Sequence, residues 1–225
     1  MYGVPGQTME TWRATLDEAL AAGPTHVSAY ALTFEPATPF GRRAKRGELQ
    51  VPEDELAAEM GILGHQVLAQ AGLARYEISS FARPGHRAVH NALYWSGGTY
   101  LGLGVGASSF RPLADGTGWR FTNVRATETY LRALATGPLP PLAECERRTL
   151  GDLENEAVWL ALRTADGLRR AAHERRYGLD PLLGREDQLA RCVAAGWLAV
   201  DGERWTLTED GWLFADEIAA RLWRA

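Results

Sequence analysis

The sequence predicts a mixed α/β protein: a stretch of alternating helices and strands of the parallel-sheet kind, followed by a winged-helix-like α+β domain. Three observations predict it. Between Met9 and Ser79, segments of helical period alternate with short apolar strand-like segments. Gly137-Pro138-Leu139-Pro140-Pro141 then breaks regular structure. Beyond it come three segments of helical period, a hairpin signal at Asp201-Gly202 and a last helix. This divides the chain into residues 1–136, a proline-rich linker 137–141, and a C-terminal domain 142–225.

Each element has its reason. Thr8 can cap a helix whose first turn carries Glu10; Met9, Trp12, Leu16 and Leu20 recur at helical spacing, and Gly23-Pro24 stops it. His26 to Ala31 is short, apolar and without strict alternation, which suits a strand covered on both faces. A structural role is expected for His26. Thr33 to Phe40 follows at the C-terminal end of that strand, the end at which barrel enzymes bind substrate. Arg42-Arg43-Ala44-Lys45-Arg46 reads as a solvated basic loop. Pro52 can start a helix with the stripe Leu56, Met60, Leu63 and Val67, ended by Gly72, and Arg75 to Ser79 is a second strand.

Tyr100 to Ala107 is a glycine-rich strand and turn, Trp119 to Asn123 its partner segment, and Thr127 to Ala135 a short helix. In the C-terminal domain, helices are expected over Leu150–Arg163, Leu168–Tyr177 and Asp187–Ala195. Trp197–Val200 and Glu203–Leu207 then flank the hairpin turn, and Thr208 caps a helix running to Trp223.

Composition excludes several classes. Hydrophobic content of 46% and charged content of 23% are those of an ordinary globular chain. The net charge of -4 offers no general attraction to nucleic acid or to membrane surfaces. From Leu142 onward 16 acidic residues face 12 basic ones, so a winged-helix nucleic-acid binder is disfavoured; such domains neutralise phosphates with Lys and Arg. No apolar run reaches the roughly 18 residues of a transmembrane helix, and no signal peptide follows Met1, so a cytoplasmic location is expected. Cys145 and Cys192, the only cysteines, give no disulfide framework.

The chemistry concentrates between Tyr76 and Phe110. That stretch holds His86 and His90, the rings of Tyr76, Tyr94, Trp95 and Tyr100, and the small-residue run Gly102 to Ser109, where backbone can approach a ligand closely. Such a stretch is what a flat aromatic ligand needs. The wording Phe81-Ala82-Arg83-Pro84-Gly85, His90-Asn91-Ala92-Leu93-Tyr94-Trp95 and Gly102-Leu103-Gly104 resembles the HemW-type heme chaperones of the radical SAM superfamily. These are relatives of oxygen-independent coproporphyrinogen III oxidase. Tyr2-Gly3-Val4-Pro5-Gly6-Gln7-Thr8, Ser28-Ala29-Tyr30-Ala31-Leu32-Thr33 and Glu35-Pro36-Ala37-Thr38-Pro39 fit the same family in the same order.

The resemblance implies the C-terminal part of a partial (β/α) barrel followed by that family's C-terminal domain. The barrel strand that would precede Tyr2 is missing, so the chain reads as the C-terminal part of a longer protein. The implied cofactors are heme, S-adenosylmethionine (SAM) and a [4Fe–4S] cluster, and the implied partners are heme-accepting proteins. Cluster ligation needs the triplet C-x3-C-x2-C, which this chain lacks; that argues against catalysis by this chain alone.

For heme, the H-N-x-x-Y-W motif is complete as His90, Asn91, Tyr94 and Trp95. His90 is the first choice of axial ligand and His86 the second, with Asn91 orienting the imidazole and Arg83 or Arg87 pairing with a propionate. Ala31 and Ser108 fall where relatives contact SAM, although the family often has His at the Ser108 position. The alternatives are a coproporphyrinogen III oxidase-like enzyme and a non-functional remnant.

Overall fold

The computed structural model describes residues 1–224. The chain forms two compact units, Met1–Ala88 and Val89–Ala225.

The first unit begins with helix α1 (Met9–Ala21). Thr8 caps it in a capping box whose other half is Thr11: each hydroxyl accepts from the other residue's backbone N–H, at 3.2 and 2.9 Å. Strand β1 (His26–Ser28), helix α2 (Pro39–Lys45), helix α3 (Asp54–Gln70) and strands β2 (Ala74–Glu77) and β3 (Ser80–Ala82) follow. The apolar stripes of α1 and α3 supply most of the core, with Trp12, Leu16, Met60, Val67 and Leu68 packed around Leu73 and Phe81. Trp12 buries its ring and still satisfies its indole N–H, which donates to the Met60 carbonyl at 2.8 Å.

The sheet departs from the expectation of parallel pairing. Its order is β1-β3-β2, and both outer strands pair antiparallel to β3. The segment read as one strand, Arg75–Ser79, turns back after Glu77. The buried Glu77 carboxylate accepts from the Ser79 N–H at 3.2 Å and holds the reversal. β1 and β2 still run in the same sense, and a lone parallel bridge joins Tyr2 to Ala31. His26 takes a structural position, its Nε2 lying 2.8 Å from the Tyr76 hydroxyl. The basic run expected as loop is helical. It forms α2, capped by Thr38, with Arg42, Arg43 and Lys45 in the last turn, where the helix dipole favours cations.

The second unit opens with helix α4 (Val89–Trp95). A three-stranded antiparallel sheet follows, ordered β4 (Ser108–Pro112), β5 (Gly118–Asn123) and β6 (Leu142–Arg148), with helix α5 (Thr127–Thr136) between β5 and β6. The glycine run before Ser108 is not a strand. Gly104 and Gly106 sit at φ +106° and +66°, outside extended conformation, and pairing there is limited to one bridge between Tyr100 and Phe110. The proline-rich segment 137–141, expected as a linker, does not separate the two compact units. It ends α5 and returns the chain to the same sheet: the Val124 N–H donates to the Pro141 carbonyl at 3.0 Å, and β6 pairs along β5.

The rest of the unit runs α6 (Leu150–Leu162), β7 (Leu168–Arg169), α7 (Arg170–Tyr177), α8 (Glu186–Ala194), β8 (Leu198–Asp201), β9 (Arg204–Leu207), a 3₁₀ turn Gly211–Phe214, and α9 (Ala215–Arg221). The sheet order is β7-β9-β8. Helix, strand, two helices and a hairpin is the order of a winged helix. The helix expected from Leu168 starts two residues later, because Leu168 and Arg169 pair with Trp205 and Arg204 of β9.

Candidate functional site

The site is built on α4. Side chains four residues apart share a helix face, and this brings His90 Nε2 to 2.8 Å from the Tyr94 hydroxyl. The two rings meet edge to face with centroids 5.1 Å apart. Tyr94 meets Tyr100 in the same way at 4.6 Å, and Tyr100 lies 6.1 Å from the buried ring of Phe110. The exposed His90 imidazole is thus the outer end of a row of rings. Asn91 was expected to orient that imidazole. It is one residue on, about 100° round the helix, and the ring nitrogen meets Tyr94 instead.

Seven residues of helix need outside support, and α4 has it at its C-terminal end. Gly97, at φ +60°, closes a Schellman ending: its N–H donates to the Tyr94 carbonyl at 3.1 Å, and the Gly98 N–H to the Leu93 carbonyl at 2.8 Å. Arg176 of α7 then donates to the Ser96 and Gly97 carbonyls at 2.6 and 2.8 Å, a cation set against the negative end of the helix. Trp95 is half-buried, and its Nε1 is buried with no hydrogen-bond partner among the described residues. The Arg163 guanidinium lies 5.9 Å from the Trp95 ring centre and 5.2 Å from that of Trp159 on α6.

The glycine run beyond α4 is pinned by side chains that the sequence reading missed. Buried Asn123, at the end of β5, donates to the Gly102 and Gly104 carbonyls at 3.3 and 2.8 Å. The Tyr130 hydroxyl accepts from the Gly104 N–H at 3.1 Å. A Cβ on Gly102 would stand 2.3 Å from the Ser108 carbonyl oxygen, so backbone lies on backbone there. Ser108 is exposed, its hydroxyl 3.2 Å from that of Thr122. Ala31, the other position assigned to SAM, belongs to the first unit, as do exposed Arg83, His86 and Arg87.

Tyr94, Trp95 and Tyr100 also line a cavity of about 670 Å³ within the second unit, whose other walls come from β4, α6 and α7. Arg120 enters it already committed. It forms a two-pronged bond to Glu156 at 3.1 and 2.8 Å, which raises the arginine pKa further. Burial raises the pKa of the Tyr177 phenol, so that side chain is uncharged around neutrality.

Three comparisons bear on this arrangement. Residues 149–214 match the family described as HemN C-terminal domain. The heme chaperone HemW of Mycobacterium tuberculosis is 37% identical over 223 residues, covering 99% of this chain and 53% of the relative. HemW of Synechocystis is 41% identical over 173 residues, 74% of this chain and 39% of the relative. The chain belongs to the HemW–HemN family. HemW of Escherichia coli is a further relative, 31% identical over 97% of this chain and 55% of its own length. The chain therefore spans about half the length of the HemW proteins it matches. In fold it is similar to coproporphyrinogen III oxidase (HemN) from Escherichia coli, a radical SAM enzyme, with a TM-score of 0.76 at 20% identity over 99% of this chain and 53% of that one. The mixed α/β fold is thus that of the HemN enzyme at its C-terminal part.

The donor set present does not fit the iron–sulfur cluster of such enzymes. Cys145 is exposed on β6, whereas Cys192 is buried on α8, where burial raises its thiol pKa. Among the described residues no cluster of three or more His, Cys, Asp or Glu side chains could hold a metal ion. Anaerobic reconstitution of this chain with iron and sulfide is expected to leave it without a cluster. Iron and sulfide bound at about four each per chain, with the matching visible absorbance, would contradict this.

Proposed function

We propose that this chain carries the heme-binding part of a HemW-type heme chaperone, which holds heme and passes it to an acceptor protein. The observation that carries the reading is the complete H-N-x-x-Y-W motif on one short helix, with His90 exposed and its ring fixed by Tyr94. Imidazole is an axial ligand of heme iron through whichever ring nitrogen lacks a proton. If Nε2–H donates to the Tyr94 oxygen, Nδ1 keeps its lone pair for iron, and the hydrogen bond sets the tautomer. Tyr94 replaces Asn91 in that role, while Trp95 supplies an aromatic wall. Ala31 and Ser108 remain the positions proposed for SAM in the family. The fold likeness to HemN also suits a coproporphyrinogen oxidase, but that chemistry runs through a cluster for which this chain has no ligand set.

The test is a hemin titration followed by the Soret band. Wild type is expected to give a specific shifted band that His90→Ala loses and His86→Ala keeps. Loss in His86→Ala with retention in His90→Ala would move the ligand to His86. Retention in both would remove the motif from heme binding.

A further inference from the structure

Resting on that reading, we propose that the cavity in the second unit takes one edge of the porphyrin and one of its carboxylates, the carboxylate pairing with Arg169. Its volume of about 670 Å³ lies within the range of roughly 300–1,000 Å³ usual for small-molecule sites. Six Tyr, Trp and Phe side chains line it: Tyr94, Trp95, Tyr100, Phe110, Trp159 and Tyr177. That density suits a flat conjugated ligand, which can stack on ring faces and meet ring edges.

One charged group on its rim is uncommitted. Arg169 is exposed on the rim, and its guanidinium has no hydrogen bond or ion pair among the described residues. The other two lining arginines are spent: Arg120 on Glu156, and Arg176 on the end of α4. One free guanidinium calls for one carboxylate, and a two-pronged pair with arginine is its strongest form. His90 does not line the cavity but holds Tyr94, which does. An iron held by His90 would lie outside the cavity beside α4, and the ring edge would enter between the aromatic walls.

Metal-free protoporphyrin IX separates this proposal from the axial-ligand reading, because it has no iron for His90 to bind. Its fluorescence is titrated with the full chain, alongside its dimethyl ester. Ala172, exposed on α7 and lining the cavity, is changed to Trp to fill the space. Arg169→Gln removes the cation at an exposed position. Wild type is expected to bind protoporphyrin IX, and His90→Ala to keep binding it with at most about a threefold loss from loosening Tyr94. Ala172→Trp should weaken binding by about tenfold or more, with an unchanged thermal melt as the folding control. Arg169→Gln should weaken the free acid about fivefold and leave the diester unaffected.

Unchanged protoporphyrin affinity in a folded Ala172→Trp protein overturns the cavity proposal. If hemin still needs His90 in that case, the heme reading stands without it. An unchanged free-acid affinity in Arg169→Gln overturns the carboxylate pairing. Binding of protoporphyrin IX that obeys both cavity variants, with a hemin band indifferent to His90, keeps the cavity and overturns the axial ligand.

Discussion

Arg185→Ala is expected to destabilise the second unit by about 3–5 kcal/mol, the range for removing one partner of a buried ion pair. The residue enters at the start of α8 and is fully buried against Glu154 of α6. Its guanidinium donates to both Glu154 oxygens at 2.7 and 2.8 Å, to Asn155 at 2.6 Å, and to the Pro181 and Leu222 carbonyls at 2.9 and 2.6 Å. His173 and Arg224 reach the same carboxylate at 2.9 and 2.5 Å. One buried acid therefore ties α6, α7, α8 and the C-terminal residues together. Without Arg185 it loses its two-pronged partner, while the Pro181 and Leu222 carbonyls lose their donor. In thermal unfolding the midpoint should fall by about 10 °C or more.

The same cluster sets an acid limit. Burial alone would raise the Glu154 pKa, but hydrogen bonds from His173 and Arg185 and the charges of Arg185 and Arg224 outweigh it and lower the value to about 2. A carboxylate depressed in the folded state contributes stability above its unfolded pKa, near 4.5, and loses it as pH falls toward 2. The full contribution is about 3 kcal/mol. A denaturation series from pH 6 to pH 2 (roughly the span of both pKa values) should show the loss in wild type. Glu154→Gln should be weaker at neutral pH and flatter with acid. A wild-type curve as flat as that of the variant would contradict the assignment.

Gly167→Ala is the second large effect expected. Gly167 sits at φ +65°, and a Cβ there would stand 2.2 Å from the Trp205 carbonyl oxygen. The left-handed conformation costs a non-glycine residue roughly 1–2 kcal/mol. The clash adds to that, because relieving it means moving β7 away from β9, where Leu168 pairs with Trp205. The turn has no slack to give: the Gly167 N–H donates to the Thr164 carbonyl at 3.1 Å, and Arg204 clamps the Asp166 and Ala165 carbonyls at 2.8 and 2.5 Å. A loss of about 3 kcal/mol is expected in urea unfolding. A change below about 1 kcal/mol, the level of an ordinary surface substitution, would mean that the turn relaxes freely.

What could be read from the sequence follows from how local each signal is. Helices α1, α3 and α6 and the β8–β9 hairpin rest on spacing and on residues beside them, such as Thr8 and Asp201-Gly202, and they lie close to where the sequence places them. Strand β3 was hidden because the reversal before it is made by Ile78-Ser79, with no glycine or proline to announce it, and is held by the side chain of Glu77. α2 was hidden because a run of Arg and Lys carries no apolar period, and its helix is set by Thr38 and Pro39 instead. In the site, the His90–Tyr94 pair follows from i, i+4 spacing. Arg176, whose two bonds to the end of α4 cross 80 and 79 residues, leaves no local trace. Nor does Arg169, which becomes a candidate only when β7 and α7 put it on a cavity rim.

The most direct test of His90 as heme ligand is chemical rescue. His90→Gly removes the imidazole from an exposed position of α4 and leaves a space that free imidazole can fill. The variant is expected to lose the wild-type Soret band on hemin addition and to regain it with added imidazole, while wild type does not respond. A His90→Gly protein that shows the wild-type band without imidazole would contradict the account.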